Sequence, residues 1–274
     1  MTVKVVSKNP LFGKVPFEYA PGWVFTPDPA CADYDWLVVF DDLKRDETVA
    51  CPRECTILAT WEPVSIKNYC TAFTRQFGHL LTNRPRAAEN HPHYHPGRGY
   101  FPWYNSRSYT ENRAFVIPPK TKTVAAVCSA KAMKWTKHYQ RIQLLKKMVA
   151  EIPGAPGLAD DFPADSFIPI PVDDPDAAIR IMKAAIANDE WAKRLPAIRA
   201  AKERLFAEYN FWAQVIRVVE SARGQRVTAP DPAHPHVLRS RRWLRRHSLS
   251  ANLEDGWFHF KQYLSGVGLW PKMS

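Results

Sequence analysis

Short solid runs of hydrophobic residues alternate along this chain with stripes at helical spacing. The first solid run, Tyr34-Asp35-Trp36-Leu37-Val38-Val39-Phe40, ends abruptly in Asp41-Asp42. The second covers 55–61 and ends Thr56-Ile57-Leu58-Ala59-Thr60-Trp61-Glu62-Pro63. Runs of this length without polar alternation predict strands buried on both faces, as in a parallel sheet. Pro63 has no N–H to give a ladder, so the strand stops there and leaves Glu62 at its C-terminal end. Ser65 can cap a helix whose Ile66, Tyr69, Cys70, Phe73 and Phe77 recur at helical spacing, and His79-Leu80-Leu81-Thr82 predicts a further short strand. Strand, helix and strand in that order form a βαβ unit, so the N-terminal part reads as an α/β fold with a parallel sheet.

Residues 84–119 lose all periodicity and read as a long loop rich in Pro, His, Arg, Asn and Tyr. Its Tyr100, Phe101, Trp103 and Tyr104 can stack on sugar faces or close a core. A second α/β unit opens with the apolar strand Thr123-Val124-Ala125-Ala126-Val127-Cys128. A basic helix follows from about Thr136 to Val149, with Ile142, Leu145 and Val149 on one face. Asp173-Asp174-Pro175-Asp176 supplies a cap, a first-turn proline and acids for a helix with Ala178, Ile181, Met182 and Ile186 as its apolar stripe. A long or broken helix spans 190–221, with Pro196 as its start or kink and Tyr209 and Trp212 as core aromatics.

The chain has 274 residues and a formal charge of +11. That excess implies an anionic partner: nucleic acid, an acidic membrane surface or a phosphorylated substrate. Much of it gathers in Arg239-Ser-Arg241-Arg242-Trp243-Leu244-Arg245-Arg246-His247, which fits either a basic amphipathic segment lying on an anionic bilayer or a solvated tail. No recognised nucleic-acid motif accompanies these arginines, so nucleic acid is the weakest of the three. No apolar run is long enough for a membrane span, and Met1 to Lys8 lacks a signal peptide's apolar core, which predicts a cytoplasmic location. Cys31, Cys51, Cys55, Cys70 and Cys128 are too scattered for a disulfide framework and read as packed thiols. His91-Pro-His93-Tyr-His95 offers three imidazoles, but in a loop they predict no rigid metal site.

The C-terminal edge of a parallel sheet is where open α/β proteins bind ligands and present catalytic side chains, which singles out Glu62. A carboxylate there is more commonly a solvated loop residue or a helix-capping acid. By residue type alone, Arg141 and Lys131 are ordinary solvated cations of a basic stretch.

Three ordered stretches carry a resemblance. They are Ile57-Leu58-Ala59-Thr60-Trp61-Glu62-Pro63; Val127-Cys128-Ser129-Ala130-Lys131 followed by His138 and Arg141; and 154–170, from Gly154-Ala155-Pro156-Gly157 through Asp160-Asp161-Phe162-Pro163 to Phe167-Ile168-Pro169-Ile170. Together they resemble glycosyltransferase family 10, the inverting α-1,3/1,4-fucosyltransferases that use GDP-fucose. The resemblance covers most of 34–222. It implies a GT-B-like architecture of two Rossmann-type domains with the second truncated. These would be an acceptor-side domain over 1–118, a truncated donor-side domain over 119–222 and a basic tail over 223–274. It also implies that Glu62 is the general base, that Arg141, Lys131 and Ser129 hold the donor, and that neither a metal nor a cofactor beyond the donor takes part. The implied partners are GDP-fucose and an oligosaccharide acceptor, with a peripheral contact to an anionic membrane and no nucleic acid. Between the helix that starts near Thr136 and Gly154, however, the family's Glu-Asn turn and Thr-Glu-Lys motif are missing. A catalytically inactive remnant that binds glycan or membrane surface is therefore the alternative.

Overall fold

The structure is a computed structural model that describes residues 1–8, 17–60, 62–84, 91–97, 109–116, 162–171, 174–225, 227–229, 231 and 234–271. The strands are β1 (Thr2–Ser7), β2 (Phe17–Ala20), β3 (Trp23–Thr26), β4 (Trp36–Phe40), β5 (Glu47–Thr48), β6 (Thr56–Thr60), β7 (His79–Thr82), β8 (Tyr94–Pro96) and β9 (Val237–Leu238). The helices are α1 (Thr71–Thr74), α2 (Tyr109–Ala114), α3 (Pro175–Ala187), α4 (Glu190–Arg204), α5 (Phe211–Ser221), α6 (Arg241–His247) and α7 (Leu249–Gly266). Two compact units result: Met1–Phe101 with Phe211–Leu264, and Pro102–Asn210 with Ser265–Ser274.

The first unit is mixed α/β around a seven-stranded sheet of order β2-β3-β1-β4-β6-β7-β8, compatible with a Rossmann-like fold. Only β2 runs antiparallel, on the outer edge of β3. Every residue of β4 and β6 is buried, which is why both read as unbroken apolar runs. From β1 the chain goes to β3 on one side, then to β4 on the other. This reversal puts a topological switch point between the C-terminal ends of β1 and β4.

The crossover from β6 to β7 is not the helix that the spacing of Ile66, Tyr69 and Phe73 predicts. Ile66 and Lys67 donate to the Pro63 carbonyl in a turn, the chain runs without regular structure through Cys70, and one helical turn, α1, remains. The cause lies at the sheet edge. Lys67 and Tyr69, two residues apart, both reach Asp41, and side chains at that spacing share a side only in extended chain. Tyr69, Cys70, Phe73 and Phe77 are nonetheless buried as their apolar character requires. At Gly78 an added Cβ would meet the Arg53 carbonyl oxygen at 2.6 Å, so the crossover closes only on glycine.

Two further expectations change. The stretch 84–119 is not wholly loop, because β8 extends the sheet beside β7 and α2 follows. The segment 239–247 is not a solvated tail, and within the basic tail expected over 223–274 β9 pairs with β5, Leu238 and Ala251 are fully buried, and Leu244 and Phe258 nearly so. Upstream, α5 lays Phe211 edge-on against Phe40 (5.3 Å) and Trp212 against Phe25 (4.8 Å), so the far end of the chain covers the N-terminal sheet. Where the sequence predicts an N-terminal domain over 1–118, the compact unit around this sheet takes in 1–101 together with 211–264.

In the second unit α3 begins as its sequence predicts, Asp174 Oδ1 accepting from Ala177 N at 3.0 Å ahead of Pro175. Within the predicted stripe, Ala178 is buried and Ile186 exposed. Pro196 is not a helix start. Helix α4 runs through that proline into a π-helical turn at Leu205–Tyr209, and the chain leaves helical geometry at Asn210. The predicted strand 123–128, the helix 136–149, the aromatics 100–104 and residues 154–161 of the third stretch lie outside the described residues. Among the described residues no helix is long and apolar enough to cross a membrane.

Candidate functional site at the C-terminal edge of the sheet

Parallel strands bring Lys8, Asp41, Glu62, Arg84 and Gly97, each just past the end of its strand, to one edge. Asp41 N still donates to Ala59 O of β6 at 2.8 Å, and the residue then turns the chain with φ +67°, a conformation that residues other than glycine adopt rarely and aspartate more readily than most. Lys8 N reaches across from β1 to Asp42 O at 3.0 Å.

Around this turn stands a network of buried charge. Lys67 Nζ binds Asp41 Oδ2 at 2.6 Å and Asp42 Oδ2 at 3.2 Å, and the Tyr69 hydroxyl donates to Asp41 Oδ1. Arg241, brought by α6, contacts Asp42 Oδ2 at 3.3 Å and Asp255 of α7 at 3.8 Å, and Arg245 contacts Asp255 at 3.2 Å. Burial first, and the Asp41 charge next, push the Tyr69 phenol far above its ordinary range, so it acts as a donor and never as a phenolate. Asp41 and Asp42 are thus committed to holding the edge together.

The half-buried Glu62 sits just past the end of β6, as its sequence predicts. Arg84, at the end of β7, fixes its main chain. The guanidinium donates to Glu62 O from Nε at 3.1 Å and to Lys67 O from Nη2 at 2.7 Å. Its plane lies over the Tyr69 ring at 4.5 Å, and the Glu62 charge acts on both Tyr69 and Arg84. Burial lowers the Arg84 pKa from the ordinary arginine value, which is high enough to leave the cation intact. Chemically, this arrangement holds the Glu62 main chain in place near a neutral phenol and a permanent cation, at the edge where α/β sheets take ligands.

Sequence reasoning missed Lys67, Tyr69, Arg84 and Arg241. Arg84 was within reach of the rule that selected Glu62, because it follows a strand by two residues. The partners from α6 and α7 had no local signal. The candidates Arg141, Lys131 and Ser129 lie outside the described residues.

The opposite edge holds a cavity of about 150 Å³ lined by Arg53, Glu54, Phe77, His79, His93 and Gln225, among others. His79 Nδ1 and His95 Nε2 are 3.0 Å apart and form a hydrogen bond, and the His79 ring lies tilted against Trp36 at 5.5 Å. The histidines expected in a loop thus lie beside and within β8. Among the described residues no group of His, Cys, Asp and Glu has a metal-holding arrangement. This edge faces away from the switch point, and its groups are occupied with one another and with the backbone. Cys51 and Cys55, packed nearby, have thiols pushed up to about 12 and about 11, chiefly by burial, and are inert at neutral pH. Compared with protein-family models, curated proteins and solved structures, the chain matches none.

Proposed function

We propose that this chain is a fucosyltransferase-like glycosyltransferase of GT-B-like architecture, transferring fucose from GDP-fucose to an oligosaccharide hydroxyl with inversion. One observation carries the reading: Glu62 stands at the C-terminal edge of a parallel sheet, its backbone clamped by Arg84. The resemblance over 57–63, 127–141 and 154–170 supplies the substrate class.

In this mechanism Glu62 accepts the acceptor hydroxyl's proton as that oxygen attacks the anomeric carbon. The bond from that carbon to the GDP oxygen breaks on the opposite face, and the electron pair leaves with the diphosphate. Arg141 and Lys131, with Ser129 in the turn before them, stabilise the charge that grows on the leaving group. The second reading is a remnant that binds glycan without transfer. It rests on the absence of a Glu-Asn turn and a Thr-Glu-Lys motif between Val149 and Gly154.

Calorimetric titration of GDP and GDP-fucose into the chain, with Arg141→Ala as the control, separates the two. The transferase reading expects binding that weakens about tenfold or more in the control, as loss of a charge-assisted contact requires. It also expects fucosyl transfer that falls by at least about a hundredfold in Glu62→Gln. Absence of nucleotide binding at millimolar concentration would remove the transferase reading.

A further inference from the structure

Helix α7 is apolar on two opposite faces. Ala251 and Phe258 face the protein interior, at 0% and 7% exposure. On the other side Leu249 (78% exposed), Leu253 (64%), Trp257 (50%), Phe260 (49%) and Tyr263 (65%) follow at spacings of four, four, three and three residues. That spacing makes one continuous stripe along about four turns. A solvent-facing helix ordinarily reverses this pattern, and a run of large exposed side chains on one face marks a contact surface.

The charges around the stripe identify what it contacts. Both acids of the helix point away from it: Glu254 accepts from Thr71 N at 2.8 Å, and Asp255 is held by Arg245 at 3.2 Å. Lys261 flanks the stripe, its ammonium 5.4 Å from the Trp257 ring centroid. One helix upstream Arg242 and Arg246 are exposed, unlike Arg241, which is buried against Asp42. The result is an apolar stripe with Lys261 beside it, two exposed arginines on the preceding helix, and its carboxylates turned inward. Trp257, Phe260 and Tyr263 in its C-terminal half have apolar rings, two of them with a polar atom at the edge, as suits the boundary between headgroup and acyl chain.

We infer that the outer face of α7 docks on an anionic lipid bilayer, its rings and leucines entering the interface while Arg242, Arg246 and Lys261 meet the headgroups. A second copy of the chain fits this face less well, because each copy carries a formal +11 and brings the same cations to the contact. This surface differs from the one the arginine cluster predicts. In Arg239–His247, Leu244 is buried and Arg239, Arg241 and Arg245 are paired with Asp46, Asp42 and Asp255, so the membrane face lies one helix later. The inference stands apart from the transferase reading, since vesicle binding requires no sugar transfer.

Co-sedimentation of the full chain with vesicles tests it. Phosphatidylcholine mixed with phosphatidylglycerol should retain the protein, with a blue shift of tryptophan emission; phosphatidylcholine alone should retain far less. Leu253→Asp and Phe260→Asp should each weaken binding by about tenfold or more, the scale of losing one buried apolar side chain. Arg242→Glu with Arg246→Glu should weaken it on the anionic vesicles alone, by about fivefold or more per charge. These positions are exposed, so thermal unfolding should stay at the parent value and separate lost docking from lost folding. Retention by neither vesicle overturns the inference, as does equal retention by both. A dimer in light scattering that Leu253→Asp dissolves, without vesicle binding, would assign the face to a second copy instead.

Discussion

Asp41 bears a backbone cost that its side chain repays. A left-handed conformation costs a residue with a Cβ about 1 kcal/mol, and glycine escapes it. Here the carboxylate binds Lys67 and the Tyr69 hydroxyl while the next residue binds Arg241, so the strained turn is fixed from three directions. Asp41→Ala keeps the strain, loses both partners and leaves the phenol without its acceptor. It should lower stability by about 3 kcal/mol, with Asp41→Gly recovering about 1 kcal/mol of that. Urea unfolding midpoints of the two variants against the parent measure both numbers. At this scale the sequence was legible wherever position in a strand decided the matter. Glu62 follows from an apolar run and a proline, whereas Lys67 and Tyr69 were hidden because the spacing of Ile66, Tyr69 and Phe73 also suits a helix, and only the carboxylate at Asp41 breaks that tie.

Among the elements, β7 and β8 are joined through imidazoles as well as backbone. His79, 1% exposed, meets His95 at 3.0 Å and has His93 5.2 Å away, with His91, Arg53 and Glu54 around them. Burial foremost, then His95 and His93, lower the His79 pKa to about 4 from an ordinary 6.5. The unfolded chain therefore takes up the proton first. The stability from a neutral His79 is fully present above pH 6.5 and is lost as pH falls toward 4, by about 3 kcal/mol. Unfolding midpoints between pH 7.5 and pH 4.5 should thus drop steeply, and His79→Leu, which has no proton to take up, should flatten the fall; an unchanged slope would show that other groups set it. The central strands were legible because burial on both faces leaves a dense apolar run. Strand β8 was not, since Tyr-His-Pro carries no hydrophobic signal and owes its conformation to the neighbour it pairs with.

At the scale of the molecule, the layout of units escaped the sequence because the contacts that define it are remote. Nothing in Phe25 or Phe40 announces that Trp212 and Phe211 will cover them, or in Asp42 that Arg241 will pair with it. A fragment ending at residue 118 would expose those rings and leave Asp42 without its arginine. Expressed alone, it should lack a cooperative thermal transition by circular dichroism and bind a hydrophobic dye, while the full chain unfolds sharply. The return of 211–264 to the first unit also sets an order of events during synthesis. The seven strands leave the ribosome first, and roughly a hundred residues of the second unit must follow before α5, α6 and α7 exist. For that interval the sheet lacks the Trp212 and Phe211 rings that pack on Phe25 and Phe40 and the Arg241 that joins Lys67 at Asp42, so the nascent chain is a natural client for a chaperone until these helices arrive.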